Sequence, residues 1–121
     1  MKIKEIAFVG YPSTDLARSR KFYEEVLGLK LTMEVPDGTW FEYDIGAGTL
    51  AIGKYEMWRP APNGPCAALE VGDFADTVAH LRANGVAFVM EPMESPVCHM
   101  AIVSDPDGNS LMIHQRKNGC C

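Results

Sequence analysis

The sequence predicts an α+β fold built from two βαβββ modules in one domain of 121 residues. Three observations carry that expectation. The order strand, helix, three short strands can be read twice along the chain. The helix stop Gly28-Leu29 recurs as Gly85-Val86, and Gly48-Thr49-Leu50 recurs as Asn109-Ser110-Leu111. Between the two readings lies Arg59 to Pro65, a Pro-rich stretch that pairs poorly as a strand. Module one then spans about 1–58, a linker 59–65, and module two about 66–121.

In the first module Ile3 to Val9 reads as a strand, and Gly10-Tyr11-Pro12-Ser13 breaks it. Thr14 or Asp15 caps a helix running to about Leu27, with Leu16, Phe22, Tyr23, Val26 and Leu27 as its apolar face. Gly28 stops it, since glycine takes the left-handed cap without a Cβ penalty. Three strands follow: Lys30 to Val35, Thr39 to Ile45 and Thr49 to Lys54. Asp37-Gly38 and Gly46-Ala47-Gly48 supply the turns between them.

The second module opens with a strand from Cys66 to Val71. Asp73 caps a helix with Phe74, Val78 and Leu81 at helical spacing, and Gly85 ends it. Strands are expected at Ala87 to Met90, His99 to Val103 and Ser110 to Gln115. Asp105-Pro106-Asp107-Gly108-Asn109 is a strong turn between the last two, because Pro presets φ and Gly accepts a positive one. Matching the openings, Glu5 to Val9 against Cys66 to Val71, requires a short insertion in module one around Tyr11-Pro12-Ser13. Neither half is long enough for a full core, so the halves should pack together.

Composition narrows the function. With 11 Lys and Arg against 16 Asp and Glu, the net charge is -5, which argues against nucleic acid. No apolar run is long enough to cross a bilayer and no signal-like region opens the chain, so no membrane and a cytoplasmic location are expected. The four cysteines include no C-x-x-C pair, which disfavours a structural zinc site; Cys66 and Cys98 read as small buried thiols, and Cys120 and Cys121 adjoin at the terminus. Open strand edges predict a homodimer, with Tyr55 and Trp58 as interface material.

Two βαβββ units, with Asp15-Leu16-Ala17-Arg18-Ser19-Arg20-Lys21-Phe22-Tyr23 leading to Leu27-Gly28-Leu29 and with Asp105 to Asn109 closing the second, resemble the vicinal-oxygen-chelate superfamily of glyoxalases, bleomycin-resistance proteins and ring-cleaving dioxygenases. The resemblance covers nearly the whole chain. It implies curled half-barrel sheets whose concave faces form a cavity for a small-molecule ligand. It also implies that Ile6, Phe8, Ala67, Leu69, Leu111 and Ile113 pack under helices, while Glu5, Ala7, Cys66, Ala68, Glu70, Ser110, Met112 and His114 face the cavity.

Metal-dependent members place ligands at the start of each module's opening strand and in each closing strand. Carried over, those positions are Glu5, Cys66, Met112 and Ala51. Only Glu5 offers a hard donor, so the usual site looks dismantled and no cofactor is expected. The alternative is a shifted set, Glu5, His99 and His114, holding iron, manganese, nickel or zinc; against it, the two histidines are ordinary rim residues. Glu5 and Glu70 interrupt apolar strands, which suits a general base or a polar anchor, or else a wet seam. Trp40, Tyr43, Tyr55, Met57 and Trp58 read as pocket lining or as core. Met90, Met93 and Met100 carry no distinct signal. Three functions stay open: a lyase or isomerase with Glu5 as anchor or base, a non-catalytic ligand-binding protein, and a metal-dependent dioxygenase.

Overall fold

The computed structural model describes residues 1–117; the Cys120–Cys121 pair lies outside the described residues. The chain forms two compact units, one of Met1–Pro60 and one beginning at Ala61. Each is a βαβββ module, as the repeat predicts. Among the described residues no helix is long and apolar enough to cross a membrane.

The first unit comprises β1 (Val9–Pro12), α1 (Leu16–Arg20), β2 (Leu31–Glu34), β3 (Trp40–Ile45) and β4 (Gly48–Gly53). The sheet order is β1-β4-β3-β2, with β1 parallel to β4 and the rest antiparallel. Asp15 is the N-cap, its carboxylate accepting from the Arg18 N–H at 3.1 Å. Beyond Arg20 the helix widens into a π-helical stretch, Lys21–Val26, in which the Leu27 N–H reaches back to the Phe22 carbonyl. Both Phe22 and Tyr23 are buried there. Tyr23 stacks on Tyr43 at 6.1 Å, and Tyr11, Phe41, Leu50 and Ile52 complete the core under the helix. Tyr43, a pocket candidate, is thus core. Its hydroxyl donates to Glu24, and burial, before that bond, pushes its pKa up. Glu24 also accepts from the Arg20 guanidinium at 2.7 Å, which holds its carboxyl below the usual range.

The expected opening strand is displaced. Residues 1–8 are exposed and lie outside any strand, while β1 runs through the Gly10-Tyr11-Pro12 segment read as a breaker. Pro12 fits because β1 is an edge strand and Pro12 is its last residue. Ser13 resumes the pairing, its N–H donating to the Gly53 carbonyl at 2.8 Å. Ile6 and Phe8 therefore do not pack under the helix; Ile6 is 85% exposed. Nor is there an insertion. Val9 pairs with Leu50 and Ala67 with Leu111, and each stands six residues before its helix cap, Asp15 or Asp73.

The second unit comprises β5 (Ala67–Glu70), α2 (Phe74–Ala83), β6 (Phe88–Glu94), β7 (Cys98–Ser104) and β8 (Ser110–Arg116), in the order β5-β8-β7-β6. Asp73 caps α2, and Gly85 follows it at φ 72°, as expected of a left-handed helix stop. Leu81 and Phe74 of α2, Ala101 and Val103 of β7, and Leu111 and Ile113 of β8 form the core. The β7–β8 turn is organised by Asp105, whose carboxylate accepts from the N–H groups of Asp107 and Asn109 and from the Asn109 side chain, each at 2.9 Å.

Candidate functional site

Strand alternation leaves each sheet one face turned away from its own helix. In the first unit that face is filled by the chain's own rings. Trp40 and Trp58 stack at 6.0 Å and 22°, Phe8 meets Trp40 edge-on at 5.2 Å, and Tyr55 lies 6.3 Å from Trp40. Glycines beneath make the room. A Cβ on Gly53 would come 2.6 Å from Trp40, and one on Gly10 would come 3.0 Å from Trp58. The Trp40 indole N–H donates to Glu42 at 2.8 Å, fixing the ring. Ala51, which pairs with Gly10 and Glu42, is fully buried.

In the second unit the corresponding face is open and half-exposed. Register lines up two rows across the four strands: Glu70, His114, Met100 and Met93 in one, Ala68, Met112, Ile102 and Met90 in the other. Four methionines thus share one face, an adaptable apolar surface that was invisible along the chain because the alignment is non-local. One polar pair crosses it. Glu70 Oε1 lies 2.6 Å from His114 Nδ1, and Glu70 Oε2 accepts from the Arg116 N–H at 2.7 Å. The Arg116 N–H first, and His114 second, hold the Glu70 carboxyl below the usual carboxylate range. An ionised carboxylate only accepts, so Nδ1 carries the shared proton.

The expected site residues separate accordingly. Glu70, Met112 and His114 share the open face, and Cys66 is a half-buried free thiol just before β5. His99 pairs with Gln115, one residue out of step with His114, so it lies on the opposite face. There it stacks on Phe74 at 5.5 Å, beside a cleft of about 350 Å³ with Gln115. Glu5 is exposed and outside the sheet. Glu5, His99 and His114 therefore do not converge, and among the described residues no group of three or more His, Cys, Asp or Glu gathers around a cation site.

The shared pairing register also corrects the carry-over in module one. Phe8, not Glu5, is the counterpart of Cys66, as Ala51 is of Met112. The four positions are then Phe8, Ala51, Cys66 and Met112. Two have no donor atom and two are soft sulfur, so they do not fit a hard or borderline divalent cation.

The comparisons agree with this architecture. Residues 5–113 match the sequence model of the Glyoxalase/Bleomycin resistance protein/Dioxygenase superfamily. Lactoylglutathione lyase from Escherichia coli O157:H7 is 29% identical over 120 residues, covering 86% of this chain and 87% of that protein, and the Shigella flexneri enzyme matches equally. Among solved structures, a glyoxalase family protein from Bacillus anthracis superposes with a TM-score of 0.80 at 20% identity, over 97% of this chain and 98% of that one. A glyoxalase/dioxygenase from Nostoc punctiforme gives 0.79 at 20% identity, over 95% and 92%. Both solved structures speak to the fold alone. The family match covers most of the residues from which the two modules are built, and the chain belongs to the Glyoxalase/Bleomycin resistance protein/Dioxygenase superfamily.

Proposed function

We propose that this protein binds a small carbonyl compound on the open face of its second sheet and moves a proton at the carbon beside the carbonyl, as a lyase or isomerase does. The observation that carries the reading is the 2.6 Å contact between Glu70 and His114. Glu70 orients the imidazole and steadies the positive charge that develops on it. His114 Nε2 takes the proton, the bonding pair moves into the enolate, and the same nitrogen returns the proton. A positioned base of this kind contributes on the order of 10²–10⁴ in rate. The methionine face supplies the apolar wall, and the glyoxalase-like kinship favours substrates with adjacent oxygens. The Glu5 anchor expected from the sequence gives way to Glu70, because Glu5 lies outside the sheet.

The test is deuterium exchange in D₂O at the carbon next to the carbonyl, followed by NMR. The substrates are a panel of α-hydroxycarbonyl compounds and lactoylglutathione, the thioester in the relatives' name. Exchange should fall about 100-fold or more in His114→Gln and about tenfold in Glu70→Gln, with both variants still folded by circular dichroism at the assay temperature. A second reading, binding without turnover, is favoured by the four methionines. Saturable binding with no exchange above the buffer rate would support it and remove the proton-transfer role.

A further inference from the structure

A cleft of about 550 Å³ opens in the first unit and is lined by, among others, Lys54, Tyr55, Glu56, Trp58 and Arg59. It belongs to a different sheet from the Glu70–His114 pair and does not depend on that pair's function. Residues 55–58 make a tight turn, the Trp58 N–H donating to the Tyr55 carbonyl at 3.0 Å. The turn holds two aromatic side chains at its ends, and Lys54 and Arg59 flank it directly. Trp58 is fixed from behind, stacked on Trp40 and pressed against Gly10, so it offers a rigid wall rather than a mobile side chain.

Among the described residues, the two cations of this cleft are not neutralised by an ion pair. Arg20, Arg82, Arg116 and Lys117 are each engaged by a glutamate. Among the described residues neither Lys54 nor Arg59 has such a partner, in a protein whose net charge is -5. Glu56 offsets one of the two cations, leaving one net positive charge beside the rings. The volume falls within the range of small-molecule sites, about 300–1,000 Å³. A ligand that uses both features is flat enough to lie on the rings and carries one negative charge.

We propose that this cleft binds a planar aromatic monocarboxylate, its ring against Tyr55 and Trp58 and its carboxylate between Lys54 and Arg59. The chain has two tryptophans, so two indole N–H resonances report on the site. The probe is benzoate, with benzamide as the neutral isostere and acetate as the ringless anion, titrated into the whole protein and followed in ¹H–¹⁵N spectra. Trp58→Phe assigns the resonances. Benzoate should shift the Trp58 indole signal saturably and bind about fivefold or more tightly than either control, the scale expected of partly solvated ion pairs. Lys54→Gln with Arg59→Gln should abolish that preference and leave benzamide unchanged; both side chains are exposed, and the same spectra verify the fold. Equal affinities for benzoate and benzamide, an unaltered preference in the double variant, or shifts confined to residues of the second sheet would each overturn the assignment.

Discussion

Glu70 owes its chemistry to two neighbours from β8, the His114 ring and the Arg116 N–H, and neither is near it in sequence. From the chain alone it is a carboxylate interrupting an apolar strand; only the parallel register of β5 on β8 pairs it with a histidine. Its depressed pKa carries a definite sign. The folded state releases this proton more readily than the unfolded chain, so the pairing contributes stability above the ordinary carboxylate pKa. That contribution is lost as pH falls through the lowered folded value. The melting temperature of Glu70→Gln should therefore lie below wild type at neutral pH, and the gap should close as the solution is acidified beneath the glutamate range. A gap of constant size from neutral to strongly acidic pH would show that the carboxylate gains nothing from its partners.

At the scale of elements, most of the secondary structure was legible because its signals are local. Asp15 and Asp73 cap their helices as read, Gly28 and Gly85 take φ of 72° beyond them, and β3, β4, β5 and β8 fall within a residue or two of expectation. β1 was misplaced because Ile3 to Val9 has the stronger apolar alternation, while Gly10 and Pro12 look like punctuation. Its true position rests on long-range facts: an edge location that tolerates Pro12, and indoles that need Gly10 and Gly53 beneath them. The π-helical stretch has no local signal either. The packing of rings on glycines makes a sharp prediction. In Gly53→Ala the new methyl would meet Trp40 at 2.6 Å, and Trp40 is boxed in by Trp58, Phe8 and its bond to Glu42. Overpacking of this kind costs about 1–3 kcal/mol, so the urea midpoint should drop with an unchanged slope. An unchanged midpoint would mean that the indole stack yields freely.

For the molecule as a whole, the family's fold is kept while the residues it usually devotes to a cation are replaced in both modules. In the first module Phe8 joins the ring cluster and Ala51 is buried beside Gly10 and Glu42, so neither position can donate. In the second, Cys66 and Met112 provide a thiol and a thioether, a soft pair poorly matched to ions that prefer nitrogen and oxygen. Among the described residues no group of three or more His, Cys, Asp or Glu gathers as a substitute. His114 spends Nδ1 on Glu70, His99 lies across the sheet from it, and Glu5 stands outside the strands. A cation bound only to the folded state would raise stability by mass action, which makes metal dependence measurable without knowing the substrate. Protein purified without chelators should hold well under about one equivalent of iron, manganese, nickel or zinc, since a donor set this soft binds such ions weakly. Dialysis against EDTA, and then addition of each ion, should leave the melting temperature within about 1 °C, because only a ligand of the native state shifts it. Near-stoichiometric metal, together with a melting temperature that falls on chelation and recovers on reloading, would contradict this. Donors would then have to come from residues other than the four positions, and His114→Ala and His99→Ala would be the first variants to separate them.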